Sequence, residues 1–367
     1  MFEATICQWQ GDASAAMSLS FDDGYEETYD LTAALLRELN IRATYFIATE
    51  AVGQSLHGYQ VANWDKWNQA SSSGFEVASH GLTHTKFDVS LADKLAILSS
   101  SVGDPARVTW YARQICGDLQ RRLTRVNKCA STPTVLSDTV YSELVQSKRR
   151  IEEGIPQHAV VSYAYPFGAY NLALKDLVGQ AGYISARSTD PGINSGALDL
   201  YALKCYSWEK STDLKRANLW VDRAIRSHGW LIELHHLVTE DRAVERKYQT
   251  MLQDLRGHLE ETLSKSVWLD AQKSIAKYAL ERSKTYLSLN AKKHSEVSFT
   301  VIFGLDLRVY DEPLTIKVRV PNEWKKARVV FDSRIEESVA MRLYQRSQYA
   351  YFEMEPTCGY VSLVREK

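Results

Sequence analysis

Four short segments of this 367-residue chain combine side chains that can do chemistry. Ser20-Phe21-Asp22-Asp23-Gly24 puts two adjacent carboxylates at the end of an apolar stretch, closed by glycine. Neighbouring carboxylates repel, and burying them is unfavourable unless a cation or hydrogen bonds compensate. Taken alone, the segment reads better as a surface turn. Ser79-His80-Gly81-Leu82-Thr83-His84 places two histidines four apart, so that on helical backbone both imidazoles reach one metal ion. Two histidines and one carboxylate make a facial site with open positions for water and substrate. An isolated pair of this spacing is usually incidental. The conjunction with the Asp pair, each segment following a strand, is what favours a metal site. Tyr163-Ala164-Tyr165-Pro166-Phe167-Gly168 is a rigid turn whose backbone N–H groups suit an oxyanion, although a plain β-turn reads equally well. In Trp230-Leu231-Ile232-Glu233-Leu234-His235-His236, strand alternation puts Leu234 and His236 on one face and His235 on the other. That face offers an apolar contact and a proton donor. A strand-end histidine held by a carbonyl is the default reading without the other three segments.

The elements that must position these residues alternate. Met17, Leu19 and Phe21 alternate with Ser18 and Ser20, a strand pattern. A helix is expected from about Thr28 to Leu39, a strand at Ala43–Ile47, a helix through Trp64 and Trp67 that stops at Gly74, and a strand at Phe75–Ala78. Residues from about Leu91 to Thr134 read as a mostly helical insertion whose basic residues, Arg113 to Lys128, form a solvated face. The alternation resumes with a helix around Glu143–Glu153 and strands at Ala159–Ala164, near Ile184, at Leu203–Ser207 and at Trp230–His236. Two long helices are expected over residues 241–283. Strands separated by helices imply parallel βαβ units and an α/β barrel, with its active site at the C-terminal strand ends. After about Thr285, short β-type runs without helices predict a small β-sandwich. The expected division is a catalytic domain over residues 1–285 and a β-sandwich over 286–367.

Composition narrows the function classes. Lys and Arg total 44 and Asp and Glu 45, so the chain has no general attraction to nucleic acid or an anionic membrane and suits a neutral polymer. The five cysteines form no C-x-x-C pair, which argues against a disulfide framework or a Cys-zinc site. No apolar run approaches the roughly 20 residues of a membrane span. The first residues, Met1-Phe2-Glu3-Ala4-Thr5, lack a secretory signal, which leaves a cytoplasmic protein or one numbered after leader removal. The 20 Tyr, 9 Trp and 10 Phe are candidate sugar platforms, with Trp64, Trp67, Tyr165 and Trp208 nearest the proposed site in sequence. Trp324, Tyr344, Tyr349, Tyr351 and Phe352 are either sugar-stacking or core residues of the sandwich, and the core reading is favoured.

In order and spacing, the four segments resemble the polysaccharide deacetylase family, also called the NodB-homology or carbohydrate esterase 4 family. The resemblance covers about residues 15–283. It implies a distorted (β/α) barrel, often of seven strands, and a hydrolase that removes acetyl groups (N-acetyl, also O-acetyl) from a polysaccharide or oligosaccharide. It implies Asp23, His80 and His84 as ligands of a divalent metal, zinc first and cobalt, nickel or manganese next. Asp22 is then the catalytic base and His236 the general acid. Leu234 lines the acetyl pocket, and Tyr165, Pro166, Phe167 and Gly168 form the substrate-binding turn. Two positions depart from the pattern. Many members carry an arginine two residues before the third-motif proline, where it pairs with the base. This chain has Ala164 there, as in the branch that includes poly-N-acetylglucosamine deacetylases. The family's Asp-Trp pair that supports the acid is not recognisable, although Trp208, Asp213 and Asp222 fall in the right stretch. The competing readings are a cyclic-amide hydrolase on the same scaffold and an inactive glycan-binding protein.

Overall fold

The computed structural model describes residues 3–87, 133–241, 243, 246–331, 334–344 and 347–366. The insertion expected over about 91–134 lies almost wholly outside the described residues. The chain opens with β1 (Glu3–Ile6), whose partner comes near the far end. Next come β2 (Ala15–Phe21), α1 (Glu26–Glu38), β3 (Thr44–Ile47), the small hairpin β4 (Ser55–Leu56) and β5 (Tyr59–Gln60), α2 (Trp64–Ser72) and β6 (Glu76–Ser79). After the undescribed stretch follow α3 (Pro133–Gly154), β7 (Ser162–Ala164), α4 (Leu172–Gln180), β8 (Ser185–Pro191), β9 (Leu203–Ser207), α5 (Leu214–Ser227) and β10 (Trp230–His235). Strands β2, β3, β6, β7, β8, β9 and β10 pair in that order, and β10 returns to β2, closing a seven-strand parallel barrel. Every residue of β2 and of β10 is buried, so both faces are covered rather than alternating between core and solvent.

Glycines fix two close approaches here. At Gly24 the backbone takes φ +71°, and a Cβ would lie 3.0 Å from Ile47 and 3.1 Å from Trp67. At Gly154, the last residue of α3, a Cβ would lie 2.4 Å from the Trp64 ring. The helix expected from Glu143 thus ends where anticipated but begins at Pro133.

The stretch expected as two long helices is more broken. It holds β11 (Leu237–Thr239), β12 (Gln249–Met251), α6 (Leu252–Leu263), β13 (Val267–Leu269) and α7 (Gln272–Lys284). Val267-Trp268-Leu269 extends instead of coiling because the start of β2 offers it a ladder, from Val267 opposite Ala15 to Leu269 opposite Met17. Among the described residues, no helix is long and apolar enough to cross a membrane.

The chain divides into two compact units. One comprises Leu19–Leu214 and Ile232–Gly257 and contains the registered pairings of the barrel ring. The other comprises Met1–Ser18, Lys215–Leu231 and His258–Lys367. In the second, β14 (Thr285–Lys293), β15 (Glu296–Phe303), β16 (Leu314–Val320), β17 (Lys326–Phe331), β18 (Arg334–Ser338), β19 (Ala340–Tyr344), β20 (Ser347–Met354) and β21 (Gly359–Glu366) form two antiparallel sheets. Strand β1 pairs with β16, so the first residues of the chain complete a C-terminal sheet. Phe299, Ile316, Val318, Trp324, Phe352 and Leu363 are buried in one core with Tyr278 of α7. Trp324 and Phe352 are therefore core residues, and Tyr351 is also buried, whereas Tyr344 is 57% exposed.

Candidate active site

The strand ends of the barrel bring the predicted residues together. After Phe21 the chain turns sharply, with Asp23 at φ +70° and Gly24 at +71°. Both carboxylates are buried. The two histidines follow β6 on a turn, not on a helix, with Gly81 at φ +84° and His84 at +58°. The turn serves the purpose that helical spacing was expected to serve. His84 Nε2 lies 3.2 Å and His80 Nε2 3.7 Å from Asp23 Oδ1. One ligand atom from each of these three residues falls within 4.8 Å of the others.

The donor set fits a divalent cation. Asp23 Oδ1 is buried without a hydrogen-bond partner, which is costly in the absence of a positive charge. His80 Nδ1 donates to the Ala164 carbonyl at 2.9 Å, so this nitrogen carries the proton and Nε2 keeps its lone pair toward Asp23. Burial pushes the His80 imidazole down to about 4, overriding the Asp22 charge that pulls it up, so the ring stays neutral near pH 7. Burial would raise the Asp23 carboxyl, but the neighbouring imidazoles of His84, His80 and His236 hold it well below its usual range.

Asp22 is held differently. Arg187 Nη2 straddles its two oxygens at 2.6 and 2.5 Å, and the Asp22 N–H donates to the His235 carbonyl at 2.9 Å. Arg187 is completely buried on β8, where its Nη1 also donates to the Ser188 carbonyl and its guanidinium lies over the Phe46 ring. In the register of β7 and β8, Arg187 stands opposite Ala164. The cation absent from Ala164 is thus supplied by its neighbour on the next strand. Sequence reasoning missed this residue, and the available signal was an arginine inside the small-residue strand Ser185-Ala186-Arg187-Ser188.

An open cavity of about 290 Å³ lies over these groups. Among the described residues it is lined by Asp22, Asp23, His80, His84, Tyr165, Phe167, Gly168 and His236 of the predicted set, together with Tyr25, His57, Tyr59, Thr189, Leu237, Arg246, Lys247 and Tyr248. Phe167 takes φ +58°, is 58% exposed, and brings its ring 4.8 Å from that of His84. Gly168 has no room for a side chain, since a Cβ would sit 2.0 Å from Thr189 Oγ1. The His236 ring packs 5.1 Å from Tyr248, and the β4–β5 turn sets His57 5.1 Å from His84. Leu234 and Pro166 are buried and are not among the lining residues.

The aromatic platforms differ from those expected. Trp67 and Trp208 are buried and Trp64 packs at Gly154, so of the four anticipated rings only Tyr165 reaches the cavity. Tyr59, Phe167 and Tyr248 take that place. Trp208 Nε1 donates to Glu233 Oε2 at 2.9 Å, and Glu233 lies 3.7 Å from His235 Nε2. A carboxylate–Trp pair therefore exists, but it meets His235 rather than His236. Asp222 instead pairs with Lys265.

The seven-strand parallel barrel thus carries, at its strand ends, an Asp-His-His cluster that could hold a metal ion. Residues 11–186, just under half of the chain, match the model of the polysaccharide deacetylase family. The match covers the first three motifs and stops one residue short of Arg187. A gellan lyase from a Bacillus species is 23% identical over 346 residues, covering 88% of this chain. The chain spans only 12% of that relative's length. Among solved structures, a putative polysaccharide deacetylase from Mycobacterium smegmatis is 14% identical, with coverage of 79% of this chain and 98% of that one and a TM-score of 0.46. The Xyl-CE4 domain of a multidomain xylanase from the hindgut metagenome of Trinervitermes trinervoides is 14% identical, with coverage of 71% and 89% and a TM-score of 0.40.

Proposed function

We propose that this chain is a divalent-metal-dependent deacetylase acting on N-acetyl, and also O-acetyl, groups of a polysaccharide or oligosaccharide. The observation that carries this reading is the Asp23, His80 and His84 cluster beside a second carboxylate, Asp22, clamped by a buried arginine. Asp23, His80 and His84 hold the ion, and zinc suits this mixed imidazole and carboxylate set. The chemistry it supplies when bound is an acidified water, its pKa lowered from about 15.7 toward about 7, and a Lewis acid for the acyl oxygen. Asp22 takes a proton from the attacking water, and Arg187 fixes the direction in which its oxygens point. The Phe167 turn presents backbone N–H to the tetrahedral oxyanion. His236 gives a proton to the leaving nitrogen or oxygen as the C–N or C–O bond breaks, which yields acetate and the free amine or hydroxyl. Leu237 takes the apolar role beside the acetyl methyl that Leu234 was expected to play.

The test is acetate release from a panel of N- and O-acetylated oligosaccharides, with and without chelator. Chelator-sensitive release is expected, and none from any member would sink the reading. In parallel, Asp23→Ala, His80→Ala and His84→Ala are expected to lose bound metal by elemental analysis. A folded triple variant that keeps stoichiometric metal would place the ion elsewhere.

A further inference from the structure

The cavity carries a charge pattern that narrows the class of glycan, on the premise of the deacetylase reading above. Its only lining carboxylates among the described residues are Asp22, committed to Arg187, and Asp23, committed to the ligand histidines. The rim carries two cations side by side, Arg246 and Lys247. The Arg246 guanidinium lies 5.6 Å from the centre of the Tyr59 ring and forms no ion pair among the described residues. Lys247 Nζ donates to the Tyr248 hydroxyl at 3.0 Å and stands 3.8 Å from Glu209, with its side chain 67% exposed. A stretched, solvated pair of that kind is weak and easily exchanged for another anion. Tyr59 and Tyr248, the two rings beneath these cations, also line the cavity.

Cations at a cleft mouth raise the local concentration of anions, and a guanidinium matches the geometry of a carboxylate or phosphate. A neutral acetamido sugar presents nothing for either group. The chain as a whole has 44 basic and 45 acidic side chains, so a rim that, among the described residues, carries two cations and no uncommitted carboxylate is a local departure from the average. We propose that the glycan is anionic: an oxyanion on the unit next to the acetylated sugar, a uronate carboxylate or a linking phosphate, sits against Arg246 and Lys247 while the sugar rings stack on Tyr59 and Tyr248. This replaces the neutral polymer expected from composition.

The experiment is titration calorimetry on the metal-loaded full chain with three probes. They are a hexasaccharide alternating N-acetylhexosamine and uronate, the same hexasaccharide with its carboxyls reduced to alcohols, and a phosphodiester-linked N-acetylglucosamine oligomer. Two exposed pairs together are worth at most about tenfold in Kd. At low salt at least one anionic probe is expected to bind about tenfold tighter than the reduced one, and the stronger of the two identifies the source of the charge. The gap is expected to close at about 1 M NaCl, where the Debye length is about 3 Å, and in the double variant Arg246→Gln, Lys247→Gln. Equal binding of all three probes, or a preference that survives the double variant, would overturn the inference. Acetate release from chitohexaose separates the two readings. Release without an anionic preference sinks only the anionic class, while a preference without release from any glycan sinks only the reaction.

Discussion

Replacing Arg187 by methionine should leave Asp22 as a buried carboxylate with no cation from the protein. Arg187 is fully buried and Asp22 is 3% exposed, so water cannot take over the lost partner. The contact removed is two charge-assisted hydrogen bonds, at 2.6 and 2.5 Å. Breaking a buried pair from one side costs about 3–5 kcal/mol, against about 0–1 kcal/mol for an exposed one. For a compact unit of roughly 220 residues, this corresponds to a fall in Tm of about 6–20 °C. The measurement is urea and thermal unfolding followed by circular dichroism at pH 7, with Asp22→Leu and the double variant completing a cycle. An apolar pair of similar volume removes the orphaned charge, so Asp22→Leu with Arg187→Met should recover at least half of the loss. A single Arg187→Met variant within about 1 kcal/mol of the parent would show that the pair behaves like a surface contact, and the argument from burial would be wrong.

Three further outcomes follow from other parts of the molecule. Glu281 is buried with Oε2 unpartnered, and burial raises its carboxyl from 4.5 to about 8 despite the Glu312 N–H bonded to Oε1. The native state therefore keeps a proton that the unfolded chain loses above pH 4.5, and stability should fall as pH rises from about 4.5 to 8, by something on the order of 4 kcal/mol. Glu281→Gln should flatten that slope in urea titrations at pH 5 and 8, and an unchanged slope would assign it to another group. Gly168→Ala combines a strained φ of +68° with a Cβ 2.0 Å from Thr189 Oγ1. It should lower Tm by several degrees and be partly rescued by Thr189→Gly, whereas a neutral Gly168→Ala would mean that the turn relaxes freely. Deleting residues 290–367 removes the partner of β1 and uncovers Tyr278, so the truncated chain should aggregate on size exclusion instead of eluting as a folded monomer.

The legible part of the site was the part written in contiguous residues. Asp22-Asp23-Gly24 and His80 through His84 each sit at one strand end, and a parallel barrel brings such ends to one face whatever lies between them. The ring of strands was legible for a related reason, since each βα unit has its own local pattern. What escaped was made across the ring. Arg187 meets Asp22 from 165 residues away, and only the register that sets Arg187 opposite Ala164 shows that Asp22 has a cation beside it. The pairing of β1 escaped likewise, because Glu3–Ile6 carries no mark of a partner at Leu314–Val320. The aromatic rings were misjudged because tryptophan serves both cores and platforms: Trp67 and Trp208 were absorbed into packing, which left Tyr59, Phe167 and Tyr248 at the cavity. Net charge misled for a more general reason. A sum of 44 against 45 averages over the whole surface, while a substrate meets only the mouth of one cavity, and there the lining cations among the described residues are Arg246 and Lys247.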